Sequence, residues 1–477
     1  MFKLTTISLA TVSAILAGCA VGPNYEAPRQ VSPMTFRQAD AAGYSAASPE
    51  ANWWTNFHDP VLNQLIADAL TRNHDLRIGR AALAEARALR RNALRAFAPH
   101  GGASASFARG QPSATESLPF ASALAETWSA GFDAAWELDL FGGTRRRVEA
   151  ANAELGIAGA SLRDTQVALL AEVAANYFAL RNTEDAIALV TRQLSALHDS
   201  HGITQRRLDA GRGTPLHTFR TEALLRETEA ILPDLQGAAH EHRHRLAVLV
   251  GVTPGELTLA AAPSVSAEVE PVRIGSPAEL LRRRPDIQRA ERALAVTTAQ
   301  IGVSTAALFP DVSIQGFLRF VGLSRDDLGD AGTRSWGVAP TIRWRLFDYG
   351  RLHAQLRASQ AREDGALANY ERTVLHALEE TENALARYAA AQARTESLAA
   401  RRNAAERART LANQQYEAGS TDPLARLDAE RSALAAERDL IAANTERRLA
   451  LIAIYKALGG GWNVSPPSSP ALAWVGR

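Results

Sequence analysis

The stretch "WSAGFDAAWELDL", residues 128–140, alternates between apolar side chains and small or charged ones. Trp128 and Trp136 belong to the apolar series, whereas Asp133 and Glu137 belong to the series between them. A period of two is the side-chain period of a β-strand, in which successive residues point to opposite faces. The stretch therefore predicts a strand with one apolar face and one polar face.

A second stretch, "SWGVAPTIRWRLF" at residues 335–347, shows the same alternation. In each stretch the two tryptophans are eight positions apart, which is about 26 Å along a strand. That span matches an outer-membrane strand between two aromatic girdles, although a half-buried strand of a soluble sheet also alternates. We predict a membrane aromatic belt formed by Trp128, Trp136, Trp336 and Trp344.

The chain contains an internal repeat that includes both stretches. A shift of 208 positions superimposes Trp128 on Trp336, and a shift of 211 positions superimposes Pro99 on Pro310. The difference of three residues must lie between Pro99 and Trp128, where a hairpin connection would absorb it. A period of this length indicates a duplicated domain rather than a solenoid.

Each copy is predicted to contain a helix, two strands, a very long helix, a turn and a further helix. No proline occurs between Gly350 and Pro423 or between Gly142 and Pro215, and both segments are rich in strong helix formers. A single helix over residues 351–417 would be about 100 Å long. Helices of this length that carry many charges indicate a coiled coil.

The strands of each copy are expected to form a hairpin. Alternating patterns at residues 103–109 and 311–321 precede the strands predicted at 127–140 and 335–347. Four strands cannot close a barrel, and an open sheet edge in lipid leaves backbone groups without hydrogen-bond partners. The pattern therefore requires several chains to combine their strands, with Pro340 at a bulge or an edge position.

The N-terminus, "MFKLTTISLATVSAILAGCA", has the basic residue, short apolar run and small-residue end of a secretory signal. Cys19, the only cysteine, completes a lipobox-like "LAGC". We predict a lipoprotein signal peptide over residues 1–18 and an acylated Cys19, the alternative being a chance cysteine after an ordinary signal. The charged fraction of 22% excludes a polytopic helical membrane protein, and the net charge of +1 gives no indication of nucleic-acid binding.

Several blocks of the chain resemble the TolC-like outer membrane efflux factors, in the NodT-type outer membrane lipoprotein branch. The blocks are "LAGCAVGPNYEAP" (16–28), "WWTNFHDPVLNQLIADALTRNHDLRIGRA" (53–81), "RRRPDIQRAE" (282–291), "IGVSTAALFP" (301–310), "LFDYGR" (346–351) and "YEAGSTDPLARLDAER" (416–431). The resemblance implies a mostly α-helical fold with a small transmembrane β part. In such a homotrimer, long coiled-coil helices form an α-barrel tunnel, and four strands per chain build a shared β-barrel of twelve strands.

The resemblance also implies a function. The protein would be the outer-membrane exit duct of a tripartite efflux system, lipid-anchored and largely periplasmic, which conducts small molecules passively. Its partners would be a periplasmic adaptor, an inner-membrane pump of the RND type and outer-membrane lipids, with no nucleic acid, no cofactor and no enzymatic reaction. A type I protein secretion channel and a lipid-anchored periplasmic coiled-coil adaptor are the alternatives.

The resemblance assigns a periplasmic gate to the segment after the second long helix. It places a hydrophobic constriction at Leu424, an acidic ring at Asp428 and a polar clasp at Tyr416. An ordinary carboxylate in the first turns of a helix is the alternative for Asp428. Contacts with the adaptor are expected at the helical turns, which contain Gly211, Pro215, Gly419 and Pro423.

The predicted domain boundaries follow from the signal and the repeat. They are a signal peptide at 1–18, a lipid-anchored tether at 19–59, a first repeat at 60–266, a second repeat at 267–460 and a C-terminal tail at 461–477.

One enzymatic pattern occurs, the H-E-x-x-H spacing of "HEHRH" at residues 240–244. On a helix His240 and His244 would share a face and could hold zinc, with Glu241 as a base. The repeat places Arg448 and Ile452 at the two histidine positions, and no third ligand is evident. We therefore predict no metal site, and we expect the energy for transport to come from a partner.

Overall fold

The structure is a computed structural model that describes residues 20–29, 33, 35–38, 44–111, 125–260, 271–421 and 423–462. The chain divides into two compact units. Unit 1 comprises Met1–Arg29, Ala82–Gly159 and Arg289–Arg372, and unit 2 comprises Gln30–Ala81, Ala160–Gln288 and Thr373–Arg477. Each unit combines segments of both repeats, so the compact units and the predicted repeats divide the chain differently.

The helices follow the predicted order in both copies. They are α1 (Pro60–Arg72), α2 (His74–Arg95), α3 (Gly143–Asp209), α4 (Pro215–Val250), α5 (Pro277–Arg283), α6 (Pro285–Ala306), α7 (Tyr349–Glu417) and α8 (Pro423–Ala457). Proline, which lacks the N–H that a first helical turn leaves unbonded, begins five of them.

In the part of the chain that the structure describes, no helix combines the length and the apolar character needed to cross a membrane.

The strands form two sheets, one in each unit. In unit 2, β1 (Tyr44–Ser45) and β4 (Val272–Arg273) form a short parallel pair. In unit 1, β2 (His100–Gly110), β3 (Ala125–Leu138), β5 (Asp311–Gly322) and β6 (Arg334–Arg343) form an antiparallel sheet in the order β2-β3-β5-β6. Both predicted hairpins are therefore confirmed, and β3 and β5 join them.

The prediction of a strand to residue 347 is wrong, because β6 ends at Arg343. Trp344 lies beyond the strand, and residues Leu346–Asp348 form a 3₁₀ turn that leads into α7. The apolar alternation continues into this turn, so periodicity alone does not mark the strand end. Pro340 lies on β6, an edge strand of the sheet within one chain, as predicted.

Equivalent contacts recur in the two repeats. The Asn73 side chain donates through Nδ2 to the Leu249 carbonyl at 2.9 Å. Arg284, which is 211 positions later, donates through Nη1 to the Ala457 carbonyl at 2.7 Å, and Ala457 is 208 positions after Leu249. The two shifts found in the sequence therefore describe real structural equivalence.

Unit 2 contains the larger core. Both carboxylate oxygens of the buried Asp59 accept hydrogen bonds there. Asp59 precedes α1, and its Oδ1 accepts hydrogen bonds from the Val61 and Leu62 amides at 2.9 and 3.1 Å. Its Oδ2 accepts one from the Tyr177 hydroxyl at 2.5 Å. Burial, together with this hydrogen bond to the carboxylate, raises the pKa of Tyr177 to about 12.

Unit 1 has a thin core beneath its sheet. The buried apolar cluster there consists of Ala150, Ala153, Ala295, Val296 and Ala299. Alanine allows helices to approach closely but removes little apolar surface from water. These helices therefore suit a wall one helix thick.

Candidate functional sites

The strand register gives the unit 1 sheet one continuous apolar face. Phe132 lies opposite Leu318, and Leu318 lies opposite Trp336; residues directly opposite each other share a face. The larger apolar residues on this face are Phe107, Trp128, Phe132, Trp136, Leu138, Val312, Ile314, Leu318, Phe320, Trp336, Val338, Pro340 and Ile342. Phe132, Trp336 and Ile342 are 67%, 70% and 72% exposed in a single chain, so this face needs an apolar cover.

The opposite face of the sheet is polar. Asp133 and Glu137 of β3 lie on this face beside Gln315 and Arg319 of β5. The Arg319 guanidinium lies 4.5 Å above the Phe317 ring, and Ser106 of β2 bonds Ser129 of β3 through the two Oγ atoms at 2.8 Å. A face with these groups suits contact with water.

The four tryptophans of the predicted aromatic belt differ in their contacts. Trp128, Trp136 and Trp336 lie within strands. Trp128 packs against Phe107 at 4.5 Å between ring centroids. Trp136 donates through Nε1 to the Phe97 carbonyl at 2.9 Å, and Trp344 donates to the Leu308 carbonyl at 3.1 Å.

The indole hydrogen bonds of Trp136 and Trp344 therefore connect the ends of β3 and β6 to the turns that follow α2 and α6. The two acceptor carbonyls are 211 positions apart and the two donors are 208 apart, the same shifts as in the sequence. Trp344 makes this contact from outside β6, so the structure places it at the foot of the sheet rather than on a strand.

Both outer strands of the sheet have an open edge. Within the described residues, β2 pairs only with β3, and β6 pairs only with β5. An open edge carries a row of backbone N–H and C=O groups that another strand can pair with. In a membrane no water satisfies these groups, so another chain must.

In unit 2 the turns at Gly211 and Gly419 have the same geometry. Gly211 has φ +67° and Gly419 has φ +72°, the left-handed region that favours glycine. Beside them, the Arg212 amide bonds the Arg207 carbonyl at 2.8 Å, and the Ser420 amide bonds the Gln415 carbonyl at 2.9 Å. Both turns therefore end a long helix with the same motif and lead into helices that begin at Pro215 and Pro423.

Tyr416 lies at the second turn between two arginines. Arg207 donates through Nη1 to its hydroxyl, and the Arg207 and Arg426 guanidinium carbons lie 5.0 and 5.1 Å from its ring centroid. Arg426 also donates to Asn413 Oδ1 at 2.9 Å. Neither arginine could be identified from the sequence, because their contact with Tyr416 joins separate helices and leaves no local pattern.

Leu424 and Asp428 lie one turn apart on α8, and both are exposed in a single chain, Leu424 by 43%. Between them Leu427 is buried. Two positions after Asp428, Glu430 is buried, and its Oε2 has no hydrogen-bond partner within the described chain. Sequence reasoning gave no role to Glu430.

The repeat supplies a reference for the predicted gate. A shift of 208 places Leu216 at the position of Leu424 and Arg220 at that of Asp428. Leu216 is 55% exposed and Arg220 is also exposed. The apolar residue is therefore retained in both copies, whereas the charge changes sign.

The histidines of "HEHRH" lie on α4, where His240 and His244 are exposed with ring centroids 6.1 Å apart. Among the described residues there is no group of three or more potential metal ligands. Cys19, the predicted acylation site, and residues 1–18, the predicted signal peptide, lie outside the described residues.

Known proteins match this chain over almost its whole length. The profile of the outer membrane efflux protein family matches residues 65–252 and 277–460, once in each repeat. Outer membrane protein OprJ of Pseudomonas aeruginosa is 30% identical over 96% of each chain. The antibiotic efflux pump outer membrane protein ArpC of Pseudomonas putida is 31% identical over 96% of this chain and 95% of ArpC.

The solved structure of the outer-membrane channel OprN superimposes with a TM-score of 0.87 at 40% identity, over 94% of this chain and 100% of OprN. The fold is thus that of an outer-membrane channel subunit. The chain belongs to the outer membrane efflux protein family.

Family membership confirms the predicted fold class, function and location. The protein is an outer-membrane efflux channel with a large periplasmic part. Its solved relatives are trimers in which a helical tunnel continues a β-barrel, and its partners belong to an efflux system. These findings favour the channel over the predicted alternative of a coiled-coil adaptor.

Proposed function

We propose that three chains close one twelve-stranded barrel and conduct small molecules outward from an inner-membrane pump of the RND type. The observation that carries this proposal is the unit 1 sheet, which has one apolar face, one polar face and two open edges. Lipid would cover the apolar face, water would fill the space beside the polar face, and neighbouring chains would pair with the edges. The protein then supplies a path and catalyses no reaction.

The internal repeat predicts how neighbouring chains pair. Within one chain β3 of the first copy pairs with β5 of the second, and Asp133 lies opposite Phe317. Applying the shifts of 208 and 211 to this pair gives Thr341 of β6 opposite Ser106 of β2 in the next subunit. Both residues lie on the polar face in their own chains, so the derived register keeps each face continuous around the barrel.

We place the gate at the start of α8. Three Leu424 side chains near a threefold axis would form an apolar constriction, and three Asp428 carboxylates would repel one another and attract cations. Tyr416, fixed by Arg207 and Arg426, would hold α7 and α8 in the closed arrangement.

The remaining assignments concern partners and the membrane anchor. A periplasmic adaptor would contact the two turns of equal geometry, with their residues Gly211, Pro215, Gly419 and Pro423. An acyl group on Cys19 would enter the outer membrane, where each buried CH₂ contributes about 0.8 kcal/mol.

Planar-bilayer conductance of the purified trimer tests the proposed gate. We expect a low resting conductance that rises about twofold or more in Asp428→Ala, because the acidic ring no longer binds cations at the constriction. Arg220→Ala, the same helix position in the first repeat, is the matched control and should leave conductance unchanged. Equal conductance of the wild type and Asp428→Ala would reject the gate, and no conductance from any variant would reject the channel.

A further inference from the structure

The segment just after Cys19 is fixed to unit 1. The Val21 amide donates to the Phe141 carbonyl at 3.1 Å. Phe141 lies three residues after the end of β3 at Leu138, so the segment meets the foot of the sheet.

A buried arginine holds this segment. Arg146 of α3 is 2% exposed. It donates through Nε to the Val21 carbonyl at 3.2 Å and through Nη2 to the Gly22 carbonyl at 3.1 Å and to Asn24 Oδ1 at 2.9 Å. Its Nη1 donates to Glu149 Oε2 at 2.7 Å. A guanidinium is costly to bury unless its donors are satisfied, and here the segment supplies three of the four acceptors.

Three glycines allow the close fit. Gly22 has φ +86°, and a Cβ on it would lie 2.6 Å from the Gly302 Cα. A Cβ on Gly302 would lie 2.6 Å from the Arg146 Cγ, and one on Gly142 would lie 2.6 Å from the Ala20 Cα. Any larger residue at these positions would push the segment or the arginine away.

This notch is formed by Gly142 and Arg146 of the first repeat and by Gly302 of the second, and the repeat equivalents of Arg146 and Gly302 are different residues. The shift of 208 places Ala354 at the position of Arg146, and the shift of 211 places Arg91 at that of Gly302. Alanine cannot make the hydrogen bonds, and arginine leaves no room for a backbone. Duplication therefore does not explain the notch, and we infer that the notch has a separate function.

We propose that Arg146 latches residues 20–24 so that the acyl anchor enters the membrane at a fixed place beside the sheet. Cys19 is two residues from Val21, and so within about 7 Å of the latched position. The membrane affinity of the acyl chains is then transmitted to the strands and holds them at the bilayer. This inference rests on the proposed acylation of Cys19, and it makes Arg146 a positioning residue for that anchor.

Hydrogen–deuterium exchange of the N-terminal peptide in purified acylated trimers tests the latch. We expect Arg146→Met to speed exchange in residues 20–29 by roughly tenfold or more, since a charge-assisted hydrogen bond contributes at least that factor. Arg147→Met is the matched control, because Arg147 is 50% exposed and pairs with Glu137 at 3.7 Å. Gly302→Ala should act like Arg146→Met while keeping the charge, and it carries the test if Arg146→Met does not assemble.

A double-mutant cycle tests the coupling to the anchor. An unacylated form, Cys19→Ser behind a signal peptide cleaved before that serine, is compared with the acylated form in the wild type and in Arg146→Met. We expect loss of the acyl group to lower the temperature at which trimers dissociate in detergent by more in the wild type than in Arg146→Met. A structural role of Arg146 alone would give equal shifts in both backgrounds.

The outcomes separate the two proposals. Equal shifts, or unchanged exchange in Arg146→Met, would overturn the latch even if Cys19 is acylated. An intact mass without an acyl group would overturn the acylation and the coupling together.

Discussion

The two repeats of this chain are alike where they build the channel wall. Each ends its long helix with the same glycine turn, at Gly211 and Gly419. Each ties the foot of its hairpin with an indole hydrogen bond, from Trp136 and Trp344. These equivalences suit a ring that alternates first and second copies, in which each copy must meet its neighbours in the same way.

The repeats differ where the chain has a special task. Asp428 replaces the positive charge of Arg220, and Arg146 has only Ala354 as its counterpart. The comparison teaches that duplication sets the architecture, whereas departures from the repeat mark candidate functional residues. The proposed gate, which the family resemblance assigns, includes one such departure at Asp428, and the proposed latch includes another at Arg146.

The largest effect is expected from a charge on the apolar face of the sheet. Ile342→Arg would place three guanidinium groups against lipid per trimer, and the cost of each is about 2–4 kcal/mol at the bilayer midplane and falls towards the interface. Thr341→Arg, one residue away on the polar face, should be tolerated. The amount of detergent-resistant trimer in outer-membrane fractions measures both.

Equal trimer yields from Ile342→Arg and Thr341→Arg would contradict the assignment of the two faces. A selective loss in Thr341→Arg would reverse it.

A smaller effect, on the free energy of unfolding, is expected at a core position that the two repeats fill with different residues. Tyr177 is fully buried and bonds Asp59, whereas its counterpart Leu385 is buried with no polar atom to satisfy. Tyr177→Phe leaves a buried carboxylate oxygen short of a partner and should cost about 1–3 kcal/mol of unfolding free energy. Denaturant unfolding of the helical signal measures this loss, and an unchanged midpoint would contradict it.

The raised pKa of Tyr177 also makes the stability of the folded chain depend on pH. Its pKa is raised in the folded chain to about 12, so the folded state keeps a proton that the unfolded state loses near pH 10. The stabilisation is complete below about pH 10 and is lost as the pH rises towards about 12. Tyr177→Phe should remove this part of the alkaline loss of stability, which pH-dependent melting curves can test.

Much of the fold was predictable because its signals are periodic or repeated. The alternation around Trp128 predicted β3, and the long segment without proline after Gly350 predicted α7. The end of β6 was not predictable, since the apolar series passes Arg343 and continues into a turn, where Trp344 bonds the distant Leu308 carbonyl.

The contacts of the candidate sites were less accessible to sequence reasoning. Arg207 reaches Tyr416 from a different helix, and Arg146 reaches backbone carbonyls more than a hundred positions earlier. Such contacts leave no local spacing. The one sequence signal for Arg146 was that the other repeat has Ala354 at the equivalent position. That difference can be interpreted only when the contacts of Arg146 are known.

The pooling of strands by three chains is tested most directly by a disulfide across the derived subunit boundary. Ser106→Cys and Thr341→Cys are combined in one chain, whose sole natural cysteine is Cys19; facing residues of paired strands have Cα separations that a disulfide can span. Ser104→Cys with Thr341→Cys, two positions out of register, is the control. Oxidation of the first variant should give covalent dimers and trimers that a reductant converts back to monomers. The control variant should stay largely monomeric. Monomers from both pairs, or equal linking in both, would contradict the account.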